Sequence, residues 1–193
     1  MNAGAARPPR TRRDGHLLDH ARTLVQAERR TGYDAEKSRH CERIVLTEVT
    51  GIDHIYITVS DLARSEPFYD RVLRDALGFR KNAFTLAGDP HVQYFNRLFG
   101  FVLRPARVAR AHEPYSPGLH HFCLRVDTVE DVHAVARDLR AAGIAATDAR
   151  LYPEYADDYC ATFFSDPDGV RLEVTNWRFE RRQRAAHWDD APA

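Results

Sequence analysis

Apolar and polar positions alternate with a period of two over residues 52–59 (IDHIYITV), a run also rich in β-branched side chains, which predicts a strand. The period then changes. Leu62, Phe68, Tyr69, Val72, Leu73 and Leu77 form an apolar stripe at helical spacing, so a helix is expected over LARSEPFYDRVLRDAL. Ser60 and Asp61 precede it with side chains able to accept the free N–H groups of a first turn, and Gly78 follows as a stop. Pro67 falls in the early turns, where its missing N–H does least harm. Three short pieces then read as strands: FRKNAF, HVQYFN and FGFVLRP.

The same order returns further along. LHHFCLRVD (119–127) is a second alternating strand. Thr128 and the acidic pair Glu130 and Asp131 open a second helix, VEDVHAVARDLRAAG, ended by Gly143. IAATDARLY, DYCATFFSD and GVRLEVTNW read as three more strands, with Asp166, Pro167, Asp168 and Gly169 as a tight turn before the last. GIDHIYITVSDL overlays GLHHFCLRVDTV without a gap, with glycine first and histidine in fourth place in both. A repeat of this length is too long for a solenoid unit. It suits an α+β fold of two βαβββ modules forming a cupped sheet.

The modules are expected over residues 51–105 and 118–177, within one domain spanning 47–177. Residues 1–46 read as an N-terminal extension. Its first part, MNAGAARPPRTRRDG, has almost nothing to bury and is expected to be disordered. HLLDHARTLVQAERR (16–30) carries the spacing of an amphipathic helix. Residues 178–193 form a charged tail with the pattern of a short surface helix, where Trp188 either packs on the core or stands exposed.

The 28 basic residues balance 28 acidic ones, so no general pull toward nucleic acid or anionic lipid is indicated. The arginines at 7, 10, 12 and 13 make only a short basic tail of the usual solvated kind. No apolar run approaches the roughly 20 residues that span a bilayer, and the N-terminus lacks the apolar stretch of a signal peptide. A cytoplasmic protein with a small-molecule substrate and neither a membrane nor a nucleic-acid partner is expected. Cys41, Cys123 and Cys160 have no paired spacing and suit reduced thiols. Cys123, in an apolar run, reads as a small core residue.

With these residues in view, DHIYITVSDLARSEPFYDRVLRDALGF, LHHFCLRVDTVEDV and FFSDPDGVRLEV make the chain resemble the vicinal oxygen chelate superfamily, over about residues 49–177. That superfamily includes glyoxalase I, methylmalonyl-CoA epimerase, extradiol dioxygenases, fosfomycin-resistance enzymes and bleomycin-binding proteins. The resemblance implies metal ligands on the first and last strands of each module. Mapped residue by residue, these are His54, His121 and Glu173. Aligning Gly100 with Gly169 puts the fourth position at Arg104, a departure, because a guanidinium stays protonated and cannot ligate a metal.

Strand alternation agrees with that mapping. His54, Tyr56 and Thr58 share one face, as do His121, Cys123 and Arg125, and Arg171, Glu173 and Thr175. His120 is expected on the opposite face. A lone strand histidine is more often structural than a ligand, but equivalent places in a repeat, joined by a glutamate, reverse that reading. Two imidazoles and a carboxylate with open positions suit one divalent ion, Fe2+ or Mn2+ first, with Zn2+ or Ni2+ as alternatives. Tyr56, His91, Gln93, Tyr155 and Tyr159 could also reach the cup. Glu173, Arg104 and Tyr159 stand as catalytic candidates, Arg104 as a fork for an anionic substrate group.

The resemblance thus implies a lyase, isomerase or dioxygenase whose small oxygenated substrate chelates the metal through two vicinal oxygens. Ring-cleaving relatives place a tyrosine ten residues before the ligand glutamate, where this chain has Phe163, which argues against standard extradiol cleavage. The alternative is a drug-binding protein of the bleomycin-resistance type without catalysis. A homodimer is compatible with the sequence, with modules paired within one chain or exchanged between two.

Overall fold

The computed structural model describes residues 47–190, so the expectations for residues 1–46 lie outside it. Each module folds as strand, helix and three strands. The first holds β1 (His54–Val59), α1 (Leu62–Tyr69), β2 (Arg80–Leu86), β3 (Asp89–Phe95) and β4 (Gly100–Pro105). The second holds β5 (His121–Val126), α2 (Val129–Ala141), β6 (Arg150–Leu151), β7 (Cys160–Ser165) and β8 (Arg171–Asn176). A last helix, α3 (Phe179–Ala186), is the surface helix expected of the tail, and Trp188 beyond it is exposed. No helix among the described residues is long and apolar enough to cross a membrane.

The two modules make separate four-stranded sheets, ordered β1-β4-β3-β2 and β5-β8-β7-β6. In each, the first strand runs parallel to the last and forms one edge. This is the expected α+β architecture. The helices cover one side of the sheets, and a single apolar cluster joins Val59, Tyr69, Leu73 and Phe101 to Leu124, Leu139, Leu172 and Val174. The strand faces fall as alternation requires, with Ile57, Val59 and Leu124 buried and Tyr56 and Thr58 exposed.

Asp61 caps α1, its carboxylate accepting from the N–H groups of Ala63 (2.9 Å) and Arg64 (3.4 Å). Thr128 and Asp131 cap α2 reciprocally in a capping box. The expected helix after Asp61 has two parts, since beyond Tyr69 it widens into π-helical turns over Asp70–Ala76. Ser60 does not cap. Its N–H (2.8 Å) and hydroxyl (2.5 Å) donate to Asp168 of the second module, which also takes Arg64. Asp166 of the same turn accepts the buried Tyr69 hydroxyl (2.9 Å) and the N–H groups of Asp168 (2.9 Å) and Val170 (2.8 Å). Gly169 closes the turn at φ +87°, where a side chain would be strained. The turn read from sequence as a strand connector is therefore also a clamp between modules.

The strand expected over 144–152 shortens to Arg150 and Leu151. Thr147 explains this. Its hydroxyl accepts the Phe163 N–H (2.9 Å), a bond that a partner-strand carbonyl would otherwise make, and its carbonyl accepts the Thr162 hydroxyl (2.7 Å). The Thr147 N–H still donates to the Phe163 carbonyl (2.9 Å), and side-chain bonds stand in for the rest of the ladder there.

Candidate functional site

The open face of the second sheet carries a cleft of about 700 Å³. His121 opens β5 and Glu173 lies in the middle of β8, two register positions apart, since His121 pairs with Arg171 and Cys123 with Glu173. The Glu173 side chain is only 5% exposed, and its Oε2 faces His121 Nε2 at 3.5 Å. Its Oε1 accepts the Tyr159 hydroxyl. Tyr159 is held just ahead of β7 by a turn in which its N–H donates to the Ala156 carbonyl (3.0 Å) and its carbonyl accepts the Tyr152 N–H (2.7 Å). Burial, then the bond to Glu173, push the Tyr159 phenol well above its ordinary range, so it stays a proton donor. Tyr155 and Phe163 wall the cleft on the same side, and Phe163 stands directly opposite Glu173 in the ladder.

Glu173 is a buried carboxylate, and such a group needs a counter-charge or several hydrogen-bond donors. Among the described residues it has one hydroxyl and one imidazole. The two donors are spaced so that both reach one ion with bonds of about 2.0–2.2 Å. A divalent cation therefore fits between them. Cys123 is not the core residue expected; it lies beside Glu173 at the exposed sheet edge. Burial around its sulfur and the Glu173 carboxylate push the thiol up to about 12, so it stays protonated at neutral pH.

His120 also lines this cleft, contrary to expectation. It precedes β5, so strand alternation does not govern it. Its Nδ1 shares a 2.7 Å hydrogen bond with His121 Nδ1, and its Nε2 lies 3.2 Å from Arg171 Nη1. His121 Nε2 is turned toward Glu173.

The first module holds His54 separately. His54 is half exposed on β1, its Nδ1 bonded to Asp53 (2.6 Å) and its ring edge-on to Tyr56. It does not line the cleft. Among the described residues, no three His, Cys, Asp or Glu side chains group so as to hold one ion. The expected triad is thus not assembled within one chain: His121, Glu173 and Tyr159 come together and His54 stands apart.

The ladder also revises Arg104. His54 pairs with Gly100 as His121 pairs with Arg171, so the counterpart of Glu173 is Val102, buried and apolar, rather than Arg104. Arg104 lies two residues further, opposite Thr58. Its guanidinium is neutralised by Asp89 (2.5 Å), which Arg107 also contacts (2.9 Å). His91 is buried and stacked on Phe84, and the Gln93 amide lies over Gly100 next to His54. Arg171 and His120 are the cleft residues that sequence reasoning left without a role. The signal for both was their position beside the paired ends of β5 and β8.

Comparison with known proteins agrees with the fold. A family model described as Glyoxalase/Bleomycin resistance protein/Dioxygenase superfamily matches residues 51–174. Uncharacterized protein YaeR of Escherichia coli is 32% identical over 132 residues, covering 64% of this chain and 93% of that protein. Biphenyl-2,3-diol 1,2-dioxygenase of a Pseudomonas species is 26% identical over 148 residues, 72% of this chain; the chain spans 48% of that enzyme's length. A glyoxylase/bleomycin resistance protein/dioxygenase domain from Frankia superposes with a TM-score of 0.56 at 22% identity, covering 68% of this chain and all of that one.

Proposed function

The chain belongs to the glyoxalase/bleomycin resistance protein/dioxygenase superfamily, and from that premise we propose that it is a metal-dependent enzyme acting on a small oxygenated substrate that chelates the metal through two vicinal oxygens. The observation that carries this reading is the buried Glu173 carboxylate facing His121 Nε2 at 3.5 Å, with no Lys or Arg paired to it among the described residues. One divalent ion, Fe2+ or Mn2+ first, would be held by His121 and Glu173 of one chain and His54 of a second copy. When bound, such an ion supplies Lewis-acid polarisation of substrate oxygens.

The residues divide the remaining work. Tyr159 donates to Glu173 and keeps that carboxylate turned into the cleft. Asp53 accepts the Nδ1 proton of His54, leaving Nε2 free to ligate. Tyr155 and Phe163 exclude water from one side. Phe163 offers no acid or base where ring-cleaving relatives place a tyrosine, which favours lyase or isomerase chemistry over standard ring cleavage.

The proposal includes a homodimer, on two grounds. Among the described residues β1 and β5 are sheet edges without a second neighbour, and each carries one of the exposed imidazoles. Free edges of this kind invite pairing. Pairing β1 of each copy with β5 of the other satisfies both edges at once under two-fold symmetry. The free thiols Cys123 and Cys160 suit the cytoplasmic location proposed for it.

The test is metal analysis of purified protein, then titration of stripped protein with Fe2+, Mn2+, Zn2+ and Ni2+. About one ion per chain is expected, lost in His121→Ala. Protein that binds none of the four ions, yet binds an aromatic drug, would establish the non-catalytic alternative instead.

A further inference from the structure

The cleft is polarised along its strands. Glu173 and Phe163 occupy the middle, opposite one another, and Tyr155 and Tyr159 lie at one end. At the other end Arg171 stands opposite Ser165 and beside His121. Arg171 Nη1 donates to the Tyr115 hydroxyl (3.1 Å) and lies 3.2 Å from His120 Nε2, neither of them a carboxylate. Its guanidinium also sits over the Tyr115 ring, 6.0 Å from the centroid. No carboxylate pairs with it among the described residues, in contrast to Arg64, Arg74, Arg104, Arg107 and Arg140. A guanidinium has five N–H donors in a fixed fork, so most of this one is uncommitted and faces a cleft.

We propose that Arg171 binds an anionic oxygen group of the substrate, a carboxylate or phosphate, so that the substrate is an acid whose chelating oxygens lie next to its charged group. This rests on the metal reading above. Arg171 and Glu173 are two positions apart on one face of β8, a separation of about 7 Å along the strand. An acid group one or two bonds beyond the chelating oxygens spans it. Arg171 thus takes the role that the sequence suggests for Arg104, whose charge Asp89 already neutralises. Tyr115 fixes the fork by stacking and by accepting one N–H, leaving the others aimed at the ligand.

The test uses Co2+-loaded full-length protein and three probes with one chelating group: acetohydroxamate, malonohydroxamate and phosphonoacetohydroxamate. Binding is followed by the cobalt absorption spectrum. In the wild type the better acid-bearing probe should bind about ten- to a hundredfold more tightly than acetohydroxamate, the range for a charge-assisted hydrogen bond. Which acid binds better identifies the group as carboxylate or phosphate. The ratio of affinities within each variant removes any general effect on fold or metal. It should fall to near one in Arg171→Met and to an intermediate value in Arg171→Lys, which keeps charge and loses the fork. Equal affinities for all three probes on loaded wild type, or a ratio unchanged in Arg171→Met, would overturn the inference alone. Failure of the wild type to bind Co2+ would overturn the metal reading and this inference with it.

Discussion

If each metal site takes His121 and Glu173 from one copy and His54 from the other, two crippled chains can repair each other. His54→Ala removes one imidazole from every site, and so does His121→Ala. Each pure variant should then bind metal at least about a hundredfold more weakly than wild type, since losing even a supporting hydrogen bond to a ligand costs ten- to a hundredfold. Mixed after subunit exchange, half of the dimers pair one variant with the other. In these the His54→Ala chain supplies His121 and Glu173, and the His121→Ala chain supplies His54. One intact site per mixed dimer gives about a quarter of the wild-type capacity. Equilibrium dialysis at a metal concentration between the wild-type and variant dissociation constants reads this directly. Mixing His121→Ala with Glu173→Ala is the internal control, because those residues serve the same copy's site and no mixed dimer gains an intact one. A His54→Ala and His121→Ala mixture that holds no more metal than its components would refute assembly between copies.

Tyr159→Phe should weaken metal binding about ten- to a hundredfold while preserving the fold, as expected for the loss of a hydrogen bond that orients a ligand; dialysis and circular dichroism check the two parts. Tyr69→Phe deletes a fully buried hydroxyl bonded to Asp166 and should lower the urea-unfolding free energy by about 1.5–3 kcal/mol, the range for hydrogen bonds to charged groups; a loss near zero would show that the Asp166 turn does not clamp the modules. Asp70 should set part of the acid limb of stability. Burial alone would raise its pKa, but hydrogen bonds from Lys81 and Tyr94 and the charge of Arg74 hold it below its ordinary 3.8. A depressed carboxylate contributes stability above its unfolded value, and that contribution is lost as pH falls through its folded value. Asp70→Asn should therefore be less stable than wild type at neutral pH and converge with it in strong acid; parallel stability curves down to pH 2 would contradict this.

The elements were legible because each module changes period cleanly. β1 and β5 alternate, α1 and α2 carry apolar stripes, and the glycine and acidic punctuation falls between them. The faces were legible for the same reason, and so Glu173 and His121 could be placed on one side of a sheet. Register was not. Alternation says which side a residue faces but not which neighbour it meets across the ladder, and matching Gly100 to Gly169 misplaces the last strand by two. The error keeps the face and changes the partner, which is why Arg104 looked like a cup residue while Val102 holds the position. His120 failed differently. Alternation was extended one residue past the end of β5, where no ladder enforces it, and the backbone was free to turn a second imidazole into the cleft.

The remaining gap lies in how modules meet, and the Asp166–Gly169 turn explains why sequence pattern could not reach it. Its residue types are those of any tight turn. In the folded chain Asp168 receives Ser60 and Arg64, and Asp166 receives Tyr69, so the turn of one module grips the first helix of the other at both ends. That grip, with Phe68 against Phe164, is a contact between the covered sides of the modules. Among the described residues it leaves β1 and β5, the edges that bear His54 and His121, without a second neighbour. A clamp on the helix side thus bears on the proposed metal side. On the proposed reading, edge strands joined within the chain would put both histidines at one site of one chain, whereas modules held by this turn would give each chain two incomplete halves that a second copy completes.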